Sequence, residues 1–283
     1  MVLDRAGFQR FLDRVSRRDF LRGGIGGGVG AIATGAAATG AVAAQTGHSG
    51  HAGKAGTNIT VGQVDNEANG FDPHDIATDW DTGVLTTEAG GRKVRTFEVI
   101  AVDKEVEIAP GIMFPAWTYN GRIPGPTFRA TEGEWLRVHF VNNGSHPHSL
   151  HFHGIHSAAM DGVPGAGMVD PGKDFTYEMP AAPFGCHLYH CHAFPLKRHM
   201  HKGLYGAFII DPDPALHPDH ADVARSRLLG SPDNERWQEF VMVMNGFDTN
   251  FDEENEVYAV NSIAFAFAEK ALRVEKERPI RVY

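Results

Sequence analysis

Between Val94 and Asp211 the apolar residues come in short runs, each closed by glycine, proline or asparagine. VRTFEVIAV (94–102), FPAWTYNG (114–121) and WLRVHFVNN (135–143) lead the series. RIPGPTFRATEGE (122–134) is a punctuated loop between the last two, and FTYEMP, CHLYHCH and GLYGAFIID follow. No run carries a helical period. Short strands at this spacing predict an all-β sandwich or barrel, closing near Asp211-Pro212. The 33 glycines and 16 prolines suit a chain of many turns.

A second, weaker signal is an internal repeat. Tyr119-Asn120-Gly121 leads through PTFRATEGE to LRVHF, and Val260-Asn261-Ser262 leads through FAEKALRVEKER to Ile280-Arg281-Val282-Tyr283. The second unit stops in mid-strand, which would leave unpaired backbone. The organisation predicted is therefore a leader (1–44), a linker or ordered arm (45–92), one complete β-domain (93–212), a charged connector (213–238) and the start of a second, truncated β-domain (239–283).

The leader is read from Ser16-Arg17-Arg18-Asp19-Phe20-Leu21, a Gly/Ala run to residue 44 and Ala41-Val42-Ala43. This is a twin-arginine export pattern with a cleavage site, which predicts an extracytoplasmic protein, periplasmic or secreted. The run is too glycine-rich and leucine-poor for stable membrane insertion. A net charge of −9, with basic residues dense only at the N-terminus, argues against nucleic acid. Two cysteines exclude a disulfide scaffold.

HLYHCHAFPLKRHMHKGLYG (187–206) holds five histidines and a cysteine. Neutral imidazoles around a thiolate are transition-metal ligands. On an extended segment neighbouring side chains face opposite ways, so Cys191 points away from His190 and His192. One cysteine with two imidazoles makes a blue-copper site. His148, Cys191 and His199 are predicted to form it, with His201 the competitor for His199. His151, His153, His190 and His192 are left for a second centre, and Cys191 becomes a covalent link between the two.

The ordered set His148-S-L-His151-F-His153, His190-Cys191-His192 and His199-M-H-K-Gly203-Leu204 resembles the multicopper oxidases, over about residues 94–283. The resemblance implies cupredoxin Greek-key sandwiches, a type 1 blue copper and a type 2/type 3 trinuclear cluster reducing O2 to water. It implies His151 as the type 2 ligand and His153, His190 and His192 as type 3 ligands. Leu204 stands where some relatives have an axial Met, implying a raised potential. Blue copper in the first domain resembles the two-domain, laccase-like members, which implies a homotrimer with each cluster shared between subunits. The four histidines here would then be half a cluster, with the matching ligands expected past Tyr283.

Other residues carry two readings. Asp161, in MDGVPG, either hydrogen-bonds a ligand and relays protons or simply makes an Asp-Gly turn. Cys186 is expected to be a buried structural thiol and VMVM (241–244) core; His156 and His187 are either partners behind the metal ligands or ordinary strand histidines, the ordinary reading being preferred. The function predicted is one-electron oxidation of phenols or metal ions coupled to O2 reduction, with Cys191, His190, His192 and Asp161 carrying the chemistry. A copper nitrite reductase is the alternative, although His192 and His151 occupy places where that family has other residues. A blue-copper electron carrier needs only His148, Cys191 and His199 and leaves four histidines unexplained.

Overall fold

The computed structural model describes residues 62–283. The expected leader and the start of the linker, with its tail histidines His48 and His51 that could bind metal, lie outside the described residues. Two five-stranded sheets face each other. The first has the order β1 (Trp80–Asp81), β5 (Thr127–Thr131), β10 (Tyr205–Asp211), β9 (Gly185–His190), β7 (His151–Phe152). The second runs β2 (Val84–Thr87), β3 (Lys93–Ala109), β6 (Trp135–Asn142), β8 (Asp174–Pro180), with β4 (Ile112–Tyr119) paired to the far half of β3. The all-β sandwich read from the strand spacing is the fold observed.

Strand β6 shows why the sheets stack. Its residues alternate strictly, burying Leu136, Val138, Phe140 and Asn142 and leaving the others half-exposed. The apolar three meet Phe128, Phe152, Tyr177, Tyr189 and Phe208 in one core. Each such side chain contributes about 1.5–3 kcal/mol when fully buried, and a one-residue slip would turn the whole row to solvent.

Part of the arm before residue 93 belongs to this body. Helix α1 (Asn66–Asn69) is capped by the Asp65 side chain, and α2 (Pro73–Ile76) by Asp72, with proline at its first turn. Phe71 and Ile76 enter a second core with Val106, Ile108, Phe114, Phe247 and Ile263. Strands β1 and β2 then add to the two sheets. The sequence reading missed them because each is too short to show a period.

Helix α3 (Leu196–His201) precedes β10; α4 (Ala221–Arg227), β11 (Gln238–Phe240), β12 (Met244–Phe247), β13 (Val257–Val260), α5 (Ala266–Glu269) and β14 (Ile280–Val282) follow it. The repeat is visible in backbone detail. Asn120 and Asn261 both have positive φ, 53° and 52°. Asn120 exchanges hydrogen bonds with Ile100, main chain and side chain, as Asn261 does with Val243. β14 pairs in parallel with β11 as β6 pairs with β3. Met244, expected in the core, is 87% exposed, because it sits on the outer face of the β12–β13 ribbon.

Candidate metal centre

Four segments build the centre. The loop after β6 is tied down by buried Asn142, whose amide donates to the carbonyls of His146 and Val169. His148 then bridges to Val169 in both directions, at 3.0 and 2.8 Å. Strand β7 places His151 directly opposite His190 on β9. Strand β9 ends at His190, so Cys191 and His192 lie just beyond it, where the sequence reading had continued the strand. The Cys191 N–H still donates to the Leu204 carbonyl at 3.0 Å, which holds the segment in line. Helix α3 carries His199, and the return to β10 passes through Gly203 at φ 114°. A Cβ there would lie 2.5 Å from Ile123, so only glycine lets the chain bring His199 and Leu204 back beside Cys191.

Cys191 and its neighbours diverge. The Cys191 Sγ is 3.3 Å from His199 Nδ1 and 3.9 Å from His148 Nδ1, and these two nitrogens are 3.2 Å apart. All three groups are buried. Burial, reinforced by neighbouring imidazoles, lowers the His148 pKa to about 3. Burial, with His146 and Arg198 nearby, takes His199 to about 4. Burial raises the Cys191 thiol. Neutral nitrogens and a sulfur converging without a carboxylate or carbonyl partner are a donor set that fits copper. His148 Nε2, on the far side of the ring from this convergence, is buried and has no hydrogen-bond partner among the described residues. His201 remains half-buried outside the set. Leu204 is fully buried in the same core cluster as Cys191 and offers no lone pair. Ser149 Oγ accepts the His192 N–H at 2.9 Å and lies 3.8 Å from Cys191 Sγ.

On the other side of the same backbone, His151, His153 and His190 bring their ligand atoms together. His153 Nε2 and His190 Nε2 are 2.7 Å apart. His190 Nδ1 donates to the Cys191 carbonyl at 2.8 Å, which leaves Nε2 with its lone pair free. Burial brings the His190 pKa down to about 4 and also lowers that of His151. This set too fits a transition metal. His192 packs on His151, ring centres 4.3 Å apart, but does not join the three nitrogens.

Asp161 is more than a turn residue. One carboxylate oxygen is 2.8 Å from His151 Nδ1 and 3.3 Å from His192 Nδ1, and the Asp161 carbonyl accepts from both rings at 2.9 and 3.1 Å. Such outer partners fix which ring nitrogen faces the metal. Two expectations fail nearby. His156 is no ordinary strand histidine: its ring lies 4.3 Å from that of His151, and its Nε2 is 3.7 Å from Asp161 Oδ1. His187 contacts the His153 carbonyl through Nδ1 at 3.2 Å. Cys186 is exposed, not buried, because strand alternation turns it outward on β9. Sequence reasoning also passed over Trp117, whose ring lies 5.1 Å from that of His148 and 4.8 Å from that of His199.

Comparison with known proteins gives a consistent picture. A family profile described as multicopper oxidase matches residues 102–215. A copper-containing nitrite reductase of Neisseria meningitidis is 32% identical over 126 residues, 44% of this chain and 32% of that protein. Laccase-2 of Botryotinia fuckeliana is 36% identical over 118 residues, 40% of this chain and 20% of that one. The chain thus spans about a third or less of the length of these curated relatives. A crystal structure described as a multicopper oxidase aligns with a TM-score of 0.67 at 45% identity, covering 78% of this chain and 72% of that chain.

Proposed function

Because the chain belongs to the multicopper oxidase family, we propose that it is a copper oxidase taking single electrons from a reducing donor and passing them to O2. The observation that carries this reading is the divergence at Cys191: its thiol joins His148 and His199, while His190 joins His151 and His153. Copper held by these sets would supply one-electron redox chemistry and a place for O2 to be reduced. The protein's own contribution is to keep the donors neutral, dry and aimed. His148, Cys191 and His199 would hold the type 1 copper, with the apolar Leu204 buried in the same core cluster as Cys191. His151, His153 and His190 would supply ligands for the cluster half, His192 packs on His151 beside them, and Asp161 orients His151 and His192.

His153 is exposed on the open side of its set, with exposed Leu188 and Phe184 on the neighbouring segment. This supports a homotrimer in which another subunit covers the histidines and completes the cluster. The twin-arginine pattern supports export to the periplasm or beyond. Among the described residues no helix is long and apolar enough to cross a membrane, and no nucleic-acid partner is proposed.

A nitrite reductase is the second reading, favoured by the Neisseria relative. Against it, His151 and His192 add imidazoles beside Asp161, which suits a multi-copper cluster. The test is gas and ion consumption by the copper-loaded protein with a reducing donor. The oxidase reading expects O2 uptake and no nitrite loss; anaerobic nitrite consumption without O2 uptake overturns it.

A further inference from the structure

Asp161 has three imidazoles around it and hydrogen-bonds only two. His151 and His192 aim Nδ1 at its carboxylate and carbonyl. The third ring, His156, closes the remaining side, with Nε2 3.7 Å from Asp161 Oδ1. That is too long for a hydrogen bond. His156 Nδ1 lies 2.9 Å from the Ser157 carbonyl. A carbonyl only accepts, so Nδ1 carries the proton, and Nε2 of the neutral ring turns a lone pair toward the carboxylate. Two acceptors face each other with no proton between them.

The backbone fixes this meeting. Ile155 is buried in the main core, and the Ile155 and His156 N–H groups both donate to the Phe152 carbonyl, at 3.3 and 3.4 Å. Asp161 is followed by Gly162 at φ 83°, where a Cβ would lie 2.8 Å from the Leu150 carbonyl oxygen. Glycine alone lets the loop return this closely. His151 thus has two ring neighbours, His156 and His192, each with its centre 4.3 Å from that of His151.

We propose that His156 is a positioning residue for the histidine set. Its lone pair turns Asp161 Oδ1 away, so the carboxylate finds its donors in His151 and His192, and its ring walls His151 in. With Nδ1 of His151 held as the protonated nitrogen, Nε2 keeps its lone pair for a metal. This rests on the metal reading of the His151–His153–His190 set. Substitution separates the role from plain packing. Phenylalanine keeps the wall and offers no donor. Glutamine offers an amide N–H that draws Oδ1 toward position 156.

The first readout needs no metal. Metal-free protein with isotope-labelled histidine is observed by NMR at about pH 8, above the imidazole range, where ring-nitrogen shifts report the tautomer. His151 is expected in the Nδ1–H form in the wild-type chain and in His156→Phe, and as a mixture in His156→Gln. An Nδ1–H form unchanged in His156→Gln overturns the proposal. The second readout is Cu(II) affinity of the histidine set by chelator competition, with the Cys191 thiolate band as internal reference. It should fall about tenfold in His156→Gln and stay within about threefold in His156→Phe. His156→Gln combined with Asp161→Asn should bind no more weakly than Asp161→Asn alone, because both act through one carboxylate; additive losses overturn the proposal. The expected tautomers without copper at the histidines keep the positioning role and sink the metal reading. Copper bound equally well by every variant does the reverse.

Discussion

At the scale of single residues, the centre depends on burial as much as on ligand identity. In the unfolded chain the imidazoles of His148, His190 and His199 titrate near 6.5, and in the fold near 3, 4 and 4. Between those values the unfolded state binds more protons, so stability is present above about pH 6.5 and lost as pH falls toward 4. Denaturation midpoints of metal-free protein should drop from about pH 7 to about pH 5; pH-independent midpoints would contradict the burial argument. Asp161→Asn removes the charge orienting His151 and His192. It should weaken metal binding at the histidine set about 10–100-fold, measured by competition with a chelator, while the thiolate band persists. The candidate ligands were legible because metal chemistry demands few residue types at fixed spacings. Trp117 was not, and His156 stayed undecided between two readings, since ring packing across a fold leaves no spacing signal. Cys186 was misread because a thiol's burial depends on which strand face it occupies.

At the scale of elements, short turns do the positioning. The Asn120 and Asn261 corners hold positive φ and offer their side chains to backbone N–H groups, a conformation asparagine tolerates better than most residues. Asn120→Ala and Asn261→Ala should each cost about 1–3 kcal/mol, read from chemical denaturation; losses under a few tenths would show that the corners are not structurally equivalent clasps. The repeat was visible in sequence because these corners and the strand after them reuse the same residue types. The long strands were legible from alternation, as in β6. Strands β1 and β2 were not: two to four residues carry no period, and their pairing is made with β5 and β3, distant in sequence.

At the scale of the whole described body, one buried ion network joins the first sandwich to the strands that follow it. Arg129 on β5 pairs with Asp211 at 2.9 Å and with Glu239 on β11 at 2.7 Å, and stacks on Trp80 and Tyr283. Glu239 also holds Arg281 on β14. Arg129→Ala leaves two buried carboxylates short of a partner and should destabilise by about 3–5 kcal/mol, with the thermal midpoint as readout; a neutral effect would mean the network is solvated. The central claim, however, is that adjacent residues on one strand end feed separate copper centres. Anomalous diffraction at the copper edge from copper-loaded crystals tests it directly. The expected map has one peak between Cys191 Sγ and the Nδ1 atoms of His148 and His199, and distinct density among His151, His153 and His190. A single peak drawing on Cys191 and His190 together, or none beside the sulfur, would contradict it.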